Sequence, residues 1–416
     1  MKKFFTEIIT HPLFSGSAVM VFGSNAINVL NYIYHLIMGR LLGPADYGEL
    51  ASLISLIGLL GIIPASIGIS VIKYVSSAKN DLEIGNMISW LKTRILQASF
   101  IFFVIILVIS PLIASFLKIH NVAYFILIAA SFLFTLQSGL NRSILQGLLK
   151  FKETVISILA ENSIKLILSI LLVYLGLQVG GAILALVVAA LLGWIVTNLY
   201  LRYHEVSPPS FTRDIKAMLM FTVPVFIQTI ATTSLYSSDV ILVKHFFSSQ
   251  EAGIYAALST LGKIIFFGAG PIGAVMFPLI SQKKTRGQNY RKIFTLSLLT
   301  TGLFAAGITA IYYLFPILAI KLLYGSAYLT ASNLLVWFGI SVSFFTLSFL
   351  LISYNLSLGK TFVVVFPLMA AIGQIILIWF FHQSLFMVVL ISIFMTALLL
   401  ISLLIYLCSE KGSLWR

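Results

Sequence analysis

The sequence predicts an all-α polytopic membrane protein of about twelve transmembrane helices, in two parallel six-helix repeats that form two lobes around a central cavity. Three observations predict it. Hydrophobic residues make up 60% of the 416 and charged residues only 9%, whereas a water-exposed globular surface needs roughly 25% charged. The apolar residues run in blocks long enough to cross a bilayer, about 20 residues each, between short polar breaks. The basic residues alternate from break to break, as cytoplasmic enrichment of Lys and Arg requires.

The first block, Phe14–Met38, follows the basic start MKKFF. A secretory h-region is only about 7–15 residues long and ends in a small-residue cleavage site. This block is longer and has no such site, so it reads as a permanent span, 14–39. The remaining spans follow at 46–72, 89–116, 121–147, 153–177, 181–202, 215–243, 250–281, 290–318, 326–355, 361–381 and 384–408. The third and eighth exceed the bilayer thickness and should tilt or project. The longest hydrophilic break, Tyr203–Ser210, contains Pro208 and Pro209 and falls at the midpoint. It divides the chain into an N-terminal lobe (1–202), a cytoplasmic linker (203–213) and a C-terminal lobe (214–416).

Lys+Arg 26 against Asp+Glu 12 gives a net charge of +14. In a soluble chain that excess would point to nucleic acid. Here, with the N-terminus inside, twenty basic residues fall on inside segments and four outside: Arg40, Lys118, Lys244 and Lys321. The excess therefore orients a protein of the plasma (inner) membrane with both termini cytoplasmic, and nucleic acid is excluded as a partner. Lys165 and Lys263 complete the 26 and lie deep inside spans, well away from their ends. The single Cys408 excludes an intrachain disulfide and Cys-rich metal sites, and the six scattered His form no HExxH pair. No GxxxxGK[ST] loop is present for nucleotide hydrolysis. Loops are too short for an extramembrane catalytic domain, and no carboxylate pair stands at the outer face, which argues against an enzyme.

Sliding the halves by 205 residues superposes Asp46–Tyr47–Gly48–Glu49–Leu50–Ala51–Ser52–Leu53 on Glu251–Ala252–Gly253–Ile254–Tyr255–Ala256–Ala257–Leu258. Six spans per half is an even number, so both halves enter from the same side. The repeats are then parallel, an arrangement that favours a central site between lobes.

At these residues the chain resembles a known family. Gly39–Arg40–Leu41–Leu42–Gly43–Pro44–Ala45–Asp46–Tyr47–Gly48 is similar to the R-x-L-G-P-x-x-Y-G junction of polysaccharide biosynthesis flippases. These belong to the multidrug/oligosaccharidyl-lipid/polysaccharide exporter superfamily. Ser238–Asp239–Val240–Ile241–Leu242, followed by Glu251–Ala252–Gly253–Ile254–Tyr255, resembles their second junction, and Pro278–Leu279–Ile280–Ser281 the close of their eighth span. The resemblance implies flipping of a lipid-linked saccharide, such as an O-antigen or capsule repeat unit, from the inner to the outer leaflet. It implies a polyprenyl-diphosphate-linked oligosaccharide as cargo, membrane lipids as surroundings, and a polysaccharide polymerase and glycosyltransferases as pathway partners. A two-lobed chain encloses its own pathway and can act as a monomer.

Such cargo demands cations for phosphate and hydrogen-bonding groups for sugar, and ionisable groups within spans are the first candidates. Lys263, near the midplane of span eight, has no acid at i±3 or i±4; it binds phosphate or pairs across helices with Asp239. Lys165 in span five binds phosphate or pairs with Glu161 at i, i+4. Asn25, Asn28, Tyr32 and His35 form one stripe on span one, either a sugar-binding wall or interhelical glue. Arg142 greets the diphosphate at the inner end of span four or snorkels to headgroups. Arg40 is a gate residue or an outer anchor.

Asp239 and Glu161 are the candidates for ion coupling. In related lipid II flippases an acid on span seven contributes to a sodium site, which the resemblance carries to Asp239. Span eleven departs from that pattern: it has no acid, and Gln374 is its main polar residue. Coupling by sodium, by protons or by no ion stays open, and no bound cofactor is expected. The alternatives are a drug/cation antiporter of the same superfamily, which should favour cavity acids, and a membrane glycosyltransferase or polymerase.

Overall fold

A computed structural model describes residues 12–77, 81–201 and 215–409. The expected linker 203–213 lies outside the described residues, and every long described segment is helical. The helices are α1 Pro12–Leu60, α2 Ile62–Ser76, α3 Asp81–Leu117, α4 Ala123–Gly147, α5 Phe151–Leu172, α6 Gln178–Leu201, α7 Ile215–Phe246, α8 Ser249–Thr285, α9 Arg291–Leu314, α10 Pro316–Leu323, α11 Leu335–Ser357, α12 Val365–Phe380 and α13 Leu385–Ser409. Nine described stretches are long and apolar enough to cross a membrane. Two of them, Val19–Ser76 with 58 residues and Phe151–Leu201 with 51, each hold two crossings at about 20 residues apiece. With α7, 32 residues long, the crossings match those read from the hydropathy blocks. The protein is a multi-pass membrane protein.

The breaks between crossings have local causes. Gly43 interrupts α1 with φ 74° and ψ 174°, directly before Pro44. Proline disfavours a helical conformation in the residue before it, and glycine supplies the positive φ. Gly176, at φ 88°, ends a π-helical turn, Val173–Leu177, between α5 and α6. Pro316 opens α10 at its first position, where its missing N–H costs nothing. Ser248 and Glu251 form a reciprocal capping box at the start of α8, so the acid of the second junction closes a helix end.

Contacts divide the chain into two compact units, Met1–Leu42 with Leu60–Phe226, and Gly43–Leu59 with Ile227–Arg416. This partition differs from lobes of 1–202 and 214–416 in two places. Gly43–Leu59, the second half of α1, packs with the second unit. The start of α7 packs with the first, where Ser70 Oγ and Thr222 Oγ1 share a hydrogen bond of 2.6 Å.

In the first unit α4 is central, flanked by α2, α3 and α6, and α6 also packs along α5. The buried residues of α6 include Gly181, Ala182, Ala185, Ala189, Ala190 and Gly193. Small residues let backbones approach where lipid removes the hydrophobic drive between helices. In the second unit α8, α9 and α13 pack on α11.

What holds Gly43–Leu59 in the second unit is a close contact with α8. A Cβ on Gly48 would meet the carbonyl of Ser249 and stand 2.7 Å from the Gly253 nitrogen. A Cβ on Gly253 would overlap the carbonyl of Pro44 and stand 3.0 Å from the Gly48 nitrogen. Positions 44 and 249, like 48 and 253, are one 205-residue shift apart. The two junctions thus meet at their corresponding glycines, each against the carbonyl four residues before the other. Beside them the Tyr47 hydroxyl is 3.1 Å from that of Tyr324 and 3.4 Å from Thr260 Oγ1.

Alanine normally stabilises a helix by about 1 kcal/mol over glycine, whereas forced overpacking costs about 1–3 kcal/mol. Gly253→Ala is therefore expected to lower the melting temperature of the detergent-purified protein. Gly270→Ala, with open space at its Cβ position, should leave it unchanged or raise it. Equal melting of the two variants would contradict the packing account.

Candidate functional site

Each unit carries polar side chains clustered deep within its helices. In the first, Lys165 lies roughly 21 Å along α5 from Phe151 at about 1.5 Å per residue, well inside a hydrocarbon core about 30 Å thick. Its ammonium donates to Asn31 Oδ1 at 2.5 Å and Asn162 Oδ1 at 2.9 Å, and stands 4.8 Å from the centre of the Tyr34 ring. Neutral amide oxygens and an aromatic face hold this charge.

Glu161 is engaged by Arg142 of α4 rather than by Lys165 at i+4. The guanidinium also donates through Nε to Ser157 Oγ at 3.1 Å and through Nη2 to the Ser157 carbonyl at 3.3 Å. Arg142 and Glu161 side chains are 14% and 20% exposed. Gly193 on α6 makes room for the pair: a Cβ there would overlap the Glu161 carboxylate. Arg142 thus neither snorkels nor stands open to a diphosphate. A planar fork matches a carboxylate better than an ammonium does, which leaves Lys165 to reach α1.

On α1 the residues that meet Lys165 are Asn31 and Tyr34, neither in the expected stripe. Asn25 turns its amide back onto the Val21 carbonyl at 2.8 Å. Asn28, Tyr32 and His35 are half-buried, and His35 packs edge-on against Tyr34 with ring centroids 5.6 Å apart. A signal for Asn31 was present: Asn28, Asn31 and His35 also follow i, i+3, i+7.

In the second unit Asp239 of α7 is 6% exposed. The Tyr255 hydroxyl donates to its Oδ2 at 2.9 Å. Its Oδ1 is buried and accepts no hydrogen bond among the described residues. Lys263 lies roughly 21 Å along α8 from Ser249, with its Nζ 5.6 Å from the centre of the Tyr236 ring. Among the described residues no ion pair within 4 Å joins Lys263 to Asp239, although both line one cavity of about 30 Å³. That is room for a single ion or water. Ser392 and Thr396 of α13 also border it.

Ser392 connects this cavity to Gln374 of α12, whose Nε2 donates to Ser392 Oγ at 3.3 Å. Gln374 is fully buried, and its Oε1, like Asp239 Oδ1, accepts no hydrogen bond among the described residues. A buried polar atom without a partner costs free energy, so two such oxygens near one cavity set an appetite for a proton or a hard cation. Ser392 was not legible as a site residue, because a serine hydroxyl in an apolar helix usually bonds the preceding turn, as Ser392 Oγ also does to the Val388 carbonyl at 3.1 Å, and Tyr255 was legible only as a residue of the second junction. Among the described residues no three His, Cys, Asp or Glu side chains gather as a metal site.

The family model for polysaccharide biosynthesis protein matches residues 13–284. The chain belongs to that family. An uncharacterized membrane protein of Methanocaldococcus jannaschii is 26% identical over 278 residues, 61% of this chain. The match covers 64% of that protein, so the chain spans just under two thirds of the curated relative's length.

Among solved structures, an inward-facing multidrug-resistance MATE-family transporter of the MOP superfamily has a TM-score of 0.78 at 12% identity, covering 95% of this chain and 98% of that one. The lipid II flippase MurJ, in an inward closed conformation, scores 0.71 at 15% identity over 94% of this chain and 87% of its own. A MOP-superfamily transporter from Pyrococcus furiosus, described as having a binding pocket of reverse polarity, scores 0.68 at 13% identity over 96% of each. At these identities the likeness shows the fold: this family member has the fold of the MOP transporters.

Removing one member of a buried ion pair strands the other and costs about 3–5 kcal/mol, whereas replacing both by apolar groups is often neutral. Glu161→Leu and Arg142→Met are each expected to lower the melting temperature in detergent. The double variant should recover most of the loss. Additive losses would show that the pair is not mutually compensating.

Proposed function

We propose that this family member flips a polyprenyl-diphosphate-linked oligosaccharide between leaflets by alternating exposure of its buried polar groups, supplying surface polysaccharide assembly. The observation that carries the reading is Lys263. It is a mid-helix ammonium held against an aromatic ring, with no ion pair within 4 Å among the described residues. Charge in that position is costly and marks a substrate path by default. A diphosphate supplies the directly paired anion that Lys263 lacks, Asp239 sharing its cavity without an ion pair within 4 Å, and Lys165, held by neutral oxygens in the first unit, is a candidate of the same kind there. Family membership and the fold shared with a lipid II flippase support the same direction.

Asp239 would couple the movement. While Lys263 shares its cavity, the carboxylate has a neighbouring positive charge. When cargo draws that ammonium away, Asp239 Oδ1 and Gln374 Oε1 gain affinity for a proton or sodium ion. The orientation follows the basic residues, with both termini cytoplasmic in the plasma membrane. A monomer suffices, with pathway polymerase and glycosyltransferases as partners.

A second reading, a drug/cation antiporter, is favoured by the buried carboxylate of Asp239 and by the fold shared with a multidrug transporter. Reconstitution into proteoliposomes separates the two. The flippase reading expects labelled lipid-linked saccharide on the far leaflet without a new glycosidic bond. Cation-driven efflux of organic cations with no lipid movement would favour the antiporter, and a new bond would favour a transferase.

Lys263→Ala should reduce flipping at least about tenfold at normal protein level, the loss expected for one charge-assisted contact of roughly 1.5–3 kcal/mol. Lys263→Arg should retain part of the activity. Unchanged flipping in Lys263→Ala would remove this residue from the path. Asp239→Asn should abolish the dependence of rate on sodium or pH. A lower rate with the same ion dependence would make Asp239 structural.

A further inference from the structure

The flank of the first unit carries a groove that none of these roles uses. Helices α3 and α6 each pack along α4, and a cavity of about 550 Å³ opens between them. One end is closed by Lys92 of α3, whose Nζ donates to Asn198 Oδ1 of α6 at 3.1 Å. The same oxygen accepts from Asn141 Nδ2 of α4 at 3.2 Å. With its oxygen so engaged, Asn198 presents its amide N–H groups, which make no hydrogen bond among the described residues. The indole N–H of Trp194, in the wall, makes none either. No Asp or Glu lines the groove. Leu96, Ile195 and Leu199 form its open sides and are 55%, 39% and 59% exposed.

The depth of this site is set by the helices. From Ile95 to Leu117, α3 has no charged residue and runs for roughly 34 Å at about 1.5 Å per residue, enough to cross the hydrocarbon. Lys92 therefore stands at the boundary of the apolar layer, and Asn198 stands close to the end of α6 at Leu201. Trp and Lys collect at this level of a membrane, where headgroup phosphates and ester carbonyls lie. The polar end offers donors and a positive charge, and the open walls are apolar. An acceptor-rich anion with a hydrocarbon tail satisfies both. A zwitterionic headgroup would bring an ammonium to a site without a carboxylate.

We propose that this groove binds an anionic glycerophospholipid of the adjoining leaflet, its phosphodiester at Lys92, Asn198 and Trp194 and an acyl chain along Leu96, Ile195 and Leu199. The proposal does not depend on the nature of the cargo.

Native mass spectrometry of the full-length protein, titrated with phosphatidylglycerol or phosphatidylcholine, tests it. Wild type should take up one phosphatidylglycerol at about fivefold lower concentration than phosphatidylcholine, the preference expected of one basic residue near the surface. Lys92→Gln should remove that preference. Ile195→Trp, a change on a lipid-exposed wall that leaves the fold intact, should weaken uptake by blocking the groove. Wild-type uptake by both variants, or equal uptake of the two lipids by wild type, would overturn the proposal. Complete displacement of phosphatidylglycerol by an equimolar long-chain isoprenyl monophosphate would also overturn it, since the groove would then serve a cargo tail.

Discussion

Charge at the middle of a hydrocarbon layer must be compensated within the protein, and the polar architecture of this chain follows from that constraint. Each mid-helix ionisable group is answered differently. Glu161 and Arg142 neutralise each other beside Gly193. Lys165 is held by two amide oxygens and a ring. Asp239 receives one hydroxyl on one oxygen, and Lys263 has a ring and a shared cavity. The series runs from full compensation to the least. The residues at its incomplete end are where an anion and a cation from outside gain most by binding.

The same constraint separates structure from function among residues of one type. Arg142 and Lys263 are both basic groups inside helices, yet Arg142 is spent on a carboxylate of the adjacent helix. Lys263 has Asp239 on the same cavity without a direct ion pair. On the proposed function such a pair exchanges partners, the cargo anion taking the lysine and a small cation the carboxylate. The small cavity and the Asp239 and Gln374 oxygens that accept no hydrogen bond among the described residues are what the proposed exchange would use, while span eleven lacks a second acid.

The crossings were legible because apolar length and polar breaks are properties of the chain itself, and α4, α6 and α13 fall within a few residues of their hydropathy blocks. The junction motifs were legible as a repeat, and the structure gives their register a physical sense in the reciprocal contact of Gly48 and Gly253. Sequence could not show that Gly43–Leu59 packs with the second unit, since that depends on a close approach to α8 far along the chain. Nor could it choose among partners for Glu161. The i, i+4 spacing favoured Lys165, while Arg142, 19 residues away, reaches it across helices. Asn31 was missed because the stripe was drawn through its neighbours, and Tyr255 because nothing in α8 alone marks a tyrosine facing an acid on α7.

The central claim, as proposed, is that Lys263 gives the second unit affinity for a lipid-linked anion. Equilibrium binding to the purified protein of a long-chain isoprenyl diphosphate, compared with the uncharged alcohol of the same chain, tests it most directly. The prediction is that wild type binds the diphosphate at least about tenfold more tightly, and that the ratio approaches one in Lys263→Ala. A ratio that stays the same in Lys263→Ala would contradict it.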